Sequence, residues 1–172
     1  YCDSSSYDLV IKNGQVFDGS GTESKTEDIA ITGNTIIKVG KINSEKSTRV
    51  IDASGLIVSP GFIDTHAHLD PMDNLIKLSD SESHVRQGVT TSFGGPDGRG
   101  VPLKYGFKQY LDTIEKVGVG MNMGFLTGHN KIRRVVMNLD NREPTNDELE
   151  IMKNLASKAM DEGAFGISTG LK

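Results

Sequence analysis

The reading of the fold turns on Gly61-Phe62-Ile63-Asp64-Thr65-His66-Ala67-His68. Its apolar start and alternating polar residues describe a strand. Successive strand side chains point to opposite faces, so Asp64, His66 and His68 share one side and the two imidazoles are neighbours. Two neutral imidazoles at that spacing can hold one divalent metal from a strand end, and zinc is the usual choice. The competing reading is a hydrogen-bonded histidine pair with no metal, since polar residues on strands are common. Placement favours the metal. The pair follows Ser59-Pro60-Gly61 and closes the first strand of a β/α series, which is where barrel enzymes carry their chemistry.

Downstream, strands alternate with helices. After the strand over 62–69, the pattern predicts a helix over 74–86 and a second strand over 89–93, which ends in the glycine-rich run Gly94-Gly95-Pro96-Asp97-Gly98-Arg99-Gly100. Apolar residues at 107, 111, 114 and 117 predict a helix closed by Gly118. A third strand is predicted over 119–127 and a short helix over 132–139. Thr145-Asn146-Asp147-Glu148 reads as a capping box. Leu149, Met152, Leu155, Ala156, Ala159 and Met160 then form one apolar stripe, stopped by Gly163. A fourth strand is predicted over 164–168. Such alternation implies a parallel sheet covered by helices.

Upstream, residues 7–58 read as a small all-β module of hairpins. Asn13-Gly14, Gly33-Asn34 and Ala53-Ser54-Gly55 each separate two apolar runs and are expected to be the turns. The 20 glycines among 172 residues suit many short strands and tight loops, against a usual share of about 7%. A net charge of −4 argues against a nucleic-acid binder, which would usually show a basic face. No apolar run approaches the roughly 18 residues of a membrane-spanning helix. A single cysteine rules out an internal disulfide framework and a cysteine-rich zinc site.

The run 50–68, Val-Ile-Asp-Ala-Ser-Gly-Leu-Ile-Val-Ser-Pro-Gly-Phe-Ile-Asp-Thr-His-Ala-His, resembles the amidohydrolase superfamily. Residues 85–91 (Val-Arg-Gln-Gly-Val-Thr-Thr), 128–134 (Gly-His-Asn-Lys-Ile-Arg-Arg) and 163–171 (Gly-Ala-Phe-Gly-Ile-Ser-Thr-Gly-Leu) narrow the likeness to the N-acyl-D-amino-acid deacylase branch. It covers residues 7–172. The resemblance implies a metal-dependent (β/α)8 barrel of the TIM type, preceded by a small β-sandwich. The expected organisation is a disordered lead at 1–6, the N-terminal part of the β-sandwich domain at 7–58, and the first half of the barrel at 59–172. A barrel needs about 250 residues. The chain is therefore expected to be a fragment with the first four β/α units, inactive alone, its C-terminal barrel half supplied in cis or in trans. Homo-oligomerisation is compatible with this.

By the same resemblance, His66 and His68 hold the more buried metal. Deacylases of this branch place a metal-binding cysteine after the second strand, and Asp97 stands there instead. A carboxylate can replace the thiolate but is harder, which shifts metal preference. The plain alternative for Asp97 is a turn residue in Pro-Asp-Gly. Lys172 matches the lysine that many amidohydrolases carboxylate with CO₂ to bridge two metals; its alternative is a solvated charge. His129 is expected to bind substrate or stabilise the oxyanion, with Arg133 as a structural neighbour; its alternative is a helix-start residue. Asp64 is expected to orient the ligands without binding metal, and His84 is read as structural. The implied cofactor is zinc or another divalent metal, one or two ions.

The implied reaction is hydrolysis of an amide C–N bond in a small-molecule N-acyl-D-amino acid by a metal-activated hydroxide. The general-base Asp and two further metal-binding histidines are expected beyond Lys172. A cyclic amidase, an isoaspartyl-dipeptidase-like activity and a non-catalytic truncated module that binds metal or a partner are the alternatives. Gly166-Ile167-Ser168-Thr169-Gly170 matches a nucleophile elbow, but the elbow requires a following helix and a downstream acid and histidine. Residues 94–100 lack the Gly-Lys-Ser/Thr ending of a P-loop. Cys2 before Asp3 and a serine run resembles the mature start of a bacterial lipoprotein, although Tyr1 is not the small residue expected before such a cysteine. The location is accordingly either the cell envelope or periplasm, or the cytoplasm.

Overall fold

The structure is a computed structural model and describes residues 6–69, 72–77, 79–101, 103 and 106–170. The chain divides into two compact units, Tyr1–Pro60 and Gly61–Lys172.

The first unit is a five-stranded sheet built around β1 (Tyr7–Val16), in the order β3-β2-β1-β4, with β5 also paired to β1. β2 (Lys25–Thr32) and β3 (Thr35–Gly40) form the expected hairpin about Gly33-Asn34, with Thr32 opposite Thr35. The other two expected hairpins are not formed. Asn13-Gly14 lies inside β1 as a bulge, where the pairing to β2 slips between Ile11 and Gly14 and Asn13 takes φ 60°. An Asn-Gly pair suits a left-handed bulge as well as a turn, and here the long-range partners decide. The Asn13 amide donates to Asp28 (3.0 Å), and its side chain donates to Asp52 (3.0 Å).

At 53–55 the chain does not reverse either. β4 (Ser47–Asp52) and β5 (Ile57–Val58) both run parallel to β1, one after the other along its length. The jog between them faces the bulge. Asp52 accepts from the amide and hydroxyl of Ser54, and the Ala53 amide donates to Lys12 O.

The small core of this unit is Tyr7, Val10, Ala30 and Ile42. Beside it, Lys12 donates to the buried Asp28 (2.7 Å) and to Ile42 O (2.9 Å), while the Ile42 amide donates back to Asp28 (3.0 Å).

The second unit holds two parallel sheets. β6 (Phe62–Ala67), β7 (Val89–Gly94) and β8 (Asn122–Phe125) pair in chain order; β9 (Thr127–Gly128) pairs with β10 (Ile167–Ser168). The strand expected over 119–127 is thus divided, because β8 takes its partner from β7 and β9 takes its partner from β10. Parallel neighbours require crossover connections, and helices supply them.

The helix expected over 74–86 is interrupted. α1 (Met72–Lys77) and α2 (Glu82–Val85) are separate, and Ser81 takes φ 49° between them. α3 (Phe107–Val117) buries Phe107, Tyr110 and Ile114, and Tyr110 meets Phe125 of β8 edge-on at 5.3 Å. Its N-terminus has no side-chain cap of its own. Glu162 provides one from a distance, accepting from the amides of Phe107 (2.9 Å) and Lys108 (3.1 Å). α4 (His129–Met137) starts three residues earlier than expected. α5 (Asn146–Asp161) begins with the predicted capping box, both arms of which are formed. Leu75, Val101, Phe107, Tyr110, Ile114, Phe125, Ala159 and Ala164 form the main core, which joins α1, α3 and α5 to the end of β8.

Candidate metal centre

The pairing of β6 with β7 is irregular just before the histidines. Asp64 lies opposite Ser92, but Ala67 lies opposite Gly94, so three steps on one strand match two on the other. A bulge of this kind frees a backbone amide and re-aims side chains. The Asp64 carboxylate accepts from the His66 amide at 3.0 Å and thereby braces the bulge. Ala67 is buried; His66 and His68 flank it on the open side. Their ring centroids are 5.2 Å apart at an interplanar angle of 67°.

The third member comes from the loop after β7. Arg99 N donates to Pro96 O (3.0 Å), which closes a four-residue turn with Asp97 and Gly98 at its centre. Both central residues have positive φ, 54° and 74°. That is the pattern of a type I′ turn, for which Asp-Gly is among the preferred pairs. The turn reading of Asp97 therefore holds, and it does not displace the ligand reading. Asp97 Oδ2 lies 3.2 Å from His68 Nε2 and 3.6 Å from His66 Nε2.

One donor atom from each of His66, His68 and Asp97 falls within 4.8 Å of the others. Two imidazole nitrogens and one carboxylate oxygen form a donor set suited to zinc and other divalent first-row metals, with positions left for solvent or substrate. The side chains are 60%, 49% and 46% exposed, so the cluster opens to solvent on one side. The residues fit the metal that the sequence implies.

Other expected residues lie elsewhere. His129 is the first residue of α4, half-buried and outside the three-residue cluster. Arg133, expected to neighbour it, donates instead to the carbonyls of Asp140 (3.0 Å) and Arg142 (2.6 Å). His84 contacts the adjacent Ser83 hydroxyl at 3.3 Å. Lys172 and Cys2 lie outside the described residues.

Ser168, the would-be nucleophile, is buried at the end of β10. Its hydroxyl donates to Gly95 O (2.6 Å) and accepts from Gly98 N (3.1 Å). The partners of this hydroxyl are about 70 residues away in sequence, and no local motif could have named them.

Residues 49–171 match the family described as "Amidohydrolase family". The D-aminoacylase of Alcaligenes xylosoxydans xylosoxydans is 33% identical over 98% of this chain and 38% of its own length. A D-aminoacylase structure described for its binuclear metal centre superposes with TM-score 0.85 at 34% identity, over 95% of this chain and 38% of that one. The N-acyl-D-glutamate deacylase of Bordetella bronchiseptica, solved with zinc and a phosphonate mimic of the tetrahedral intermediate, superposes with TM-score 0.88 at 27% identity. That match covers 97% of this chain and 39% of the other. The chain thus spans less than two fifths of the length of these relatives.

Proposed function

The chain belongs to the amidohydrolase family, and on that premise we propose that it contributes the first strands and first metal ligands of a hydrolase acting on the amide bond of N-acyl-D-amino acids. The observation that carries the reading is the convergence of His66, His68 and Asp97 at the ends of two adjacent parallel strands. Strand ends of this kind are where barrel enzymes assemble their sites. Relatives matched over 97–98% of the chain include a D-aminoacylase and an N-acyl-D-glutamate deacylase, which supports this substrate class.

In this reading β6, β7, β8 with β9, and β10 are the first four strand positions of a (β/α)8 barrel. The five-stranded sheet of the first unit is one layer of a β-sandwich. A groove of about 510 Å³ on that sheet, lined by Val16, Phe17, Ile36 and Val39 among others, supports a covering layer from the rest of the full-length protein.

A divalent cation bound at the cluster would supply Lewis acidity and a water acidified to a pKa of about 7. His66 and His68 would hold that cation through their imidazole nitrogens. Asp97 supplies the negative charge that offsets part of its own, and Asp64 fixes the backbone that aims His66. His129, at the start of α4, is assigned to the substrate as a hydrogen-bond donor to the acyl oxygen. Lys172, once carboxylated, would supply a further oxygen ligand to the metal site.

The test is an assay of the full-length protein on paired N-acetyl-D- and N-acetyl-L-amino acids, before and after chelation and metal return. Metal-dependent release of free D-amino acid is expected. Turnover that persists unchanged in metal-free protein would contradict the proposal.

A further inference from the structure

We propose that Ser168 is the positioning residue for Asp97: its hydroxyl bridges Gly95, just before the turn, and Gly98, the turn's second central residue, on either side of Asp97. The proposal rests on the metal-centre reading above and gives a role to the serine of Gly166-Ile167-Ser168-Thr169-Gly170. A serine hydroxyl has one proton to donate and lone pairs to accept with. Here both capacities are used on the segment around Asp97. Gly95 O lies two residues before Asp97 and Gly98 N one residue after it, and the Ser168 hydroxyl bonds to both. Asp97 is thereby flanked by two points anchored on a separate strand, one before the turn and one at its centre.

Two further contacts press on the same segment. A Cβ at Gly170 would collide with the Asp97 carbonyl, so only glycine lets β10's extension approach this closely. Asn130 of α4 donates to Gly170 O (3.2 Å), and its side chain sits against Gly98. Asp97 occupies a left-handed conformation that an unsupported chain visits rarely. Without this bridge, the turn loses its two side-chain anchors on either side of Asp97 and holds the carboxylate less firmly towards the Nε2 atoms of His66 and His68. Partners that orient a ligand typically cost about 10–100-fold in metal affinity when removed.

The experiment uses the full-length protein with Co²⁺ as probe, measuring affinity by chelator competition together with the visible absorption spectrum. Ser168→Ala is expected to lose about 10–100-fold in affinity and to change the Co²⁺ spectrum, while Ser168→Thr, which keeps the hydroxyl, recovers most of both. In an Asp97→Asn background, Ser168→Ala is expected to cause no further loss. An unchanged affinity and spectrum in Ser168→Ala, or full additivity with Asp97→Asn, would overturn the proposal. If the alanine variant does not fold, Ser168→Cys, similar in shape but a weak donor, is judged by the same two criteria. A wild-type protein that binds no Co²⁺ would instead defeat the metal-centre reading on which this rests.

Discussion

The carboxylate of Asp97 sits 3.2 Å from His68 Nε2, although the two residues belong to different strand ends and Asp97 occupies the left-handed centre of a turn. One residue therefore answers two demands. Its backbone suits the turn, because Asp and Asn tolerate positive φ, and its side chain completes a three-donor cluster.

These demands can be separated. Asp97→Asn preserves the turn preference and removes the charge. It should leave thermal stability nearly unchanged while weakening metal binding by at least the roughly 10–100-fold typical of an outer partner. Asp97→Cys restores a charged ligand of softer character and should shift preference towards soft metals such as cadmium. Competition titrations with Mn²⁺, Zn²⁺ and Cd²⁺ on the three proteins check both expectations.

His66→Asn and His68→Asn remove exposed side chains that the core does not use. Surface substitutions of that kind usually change stability by no more than about 0.5 kcal/mol. Each variant should therefore fold with an almost unchanged melting temperature yet lose metal and hydrolysis together. A large fall in melting temperature in metal-free protein would mean that the histidines are structural.

Asp28 anchors the first unit. Burial pushes its carboxyl pKa up, but the Lys12 ammonium and the amides of Asn13 and Ile42 outweigh this and hold it below the ordinary value of 3.8. A depressed folded-state pKa stabilises above the unfolded pKa, and that contribution is lost as pH falls below about 4. Asp28→Asn should cost about 2–3 kcal/mol at neutral pH, because it removes charge-assisted bonds to three donors. The difference between variant and wild type should shrink on acidification through that window. Denaturant melts at pH 7 and pH 3 measure it.

Glu148 is gripped by the Arg142 guanidinium through two bonds of 2.6 and 2.7 Å and also accepts from the Thr145 amide, which lowers its pKa from 4.5 to about 2. Its contribution to the start of α5 is present above pH 4.5 and is lost as pH falls towards 2. Arg142→Ala should return the Glu148 titration towards 4.5, as read by side-chain carboxyl NMR. Thr145→Ala removes the other half of the capping box and should cost about 1 kcal/mol.

Much of this architecture was legible in local patterns. The two-histidine strand, the α3 stripe ending at Gly118 and the capping box at Thr145 each depend on residues within a few positions of one another. What escaped was decided at long range. Asn13-Gly14 carries hairpin chemistry, yet Asp28 and Asp52 hold it as a bulge inside one strand. Residues 53–55 look like a reversal, but β1 is long enough to pair with the strands on both sides of them. At the site, the sequence brought Asp97 to an even choice between turn residue and ligand, because the same residue type serves both. Ser168 resembled a nucleophile because its motif is local, whereas its partners Gly95 and Gly98 are contributed by another strand's loop.

The most direct measurement of the central claim is metal stoichiometry by elemental analysis, on purified full-length protein and on a His66→Asn/His68→Asn/Asp97→Asn variant of it. At least one divalent ion per wild-type chain is expected, with a loss of about one ion in the folded variant. Equal metal content in the two proteins, or a metal-free wild type after loading with Zn²⁺, would contradict it.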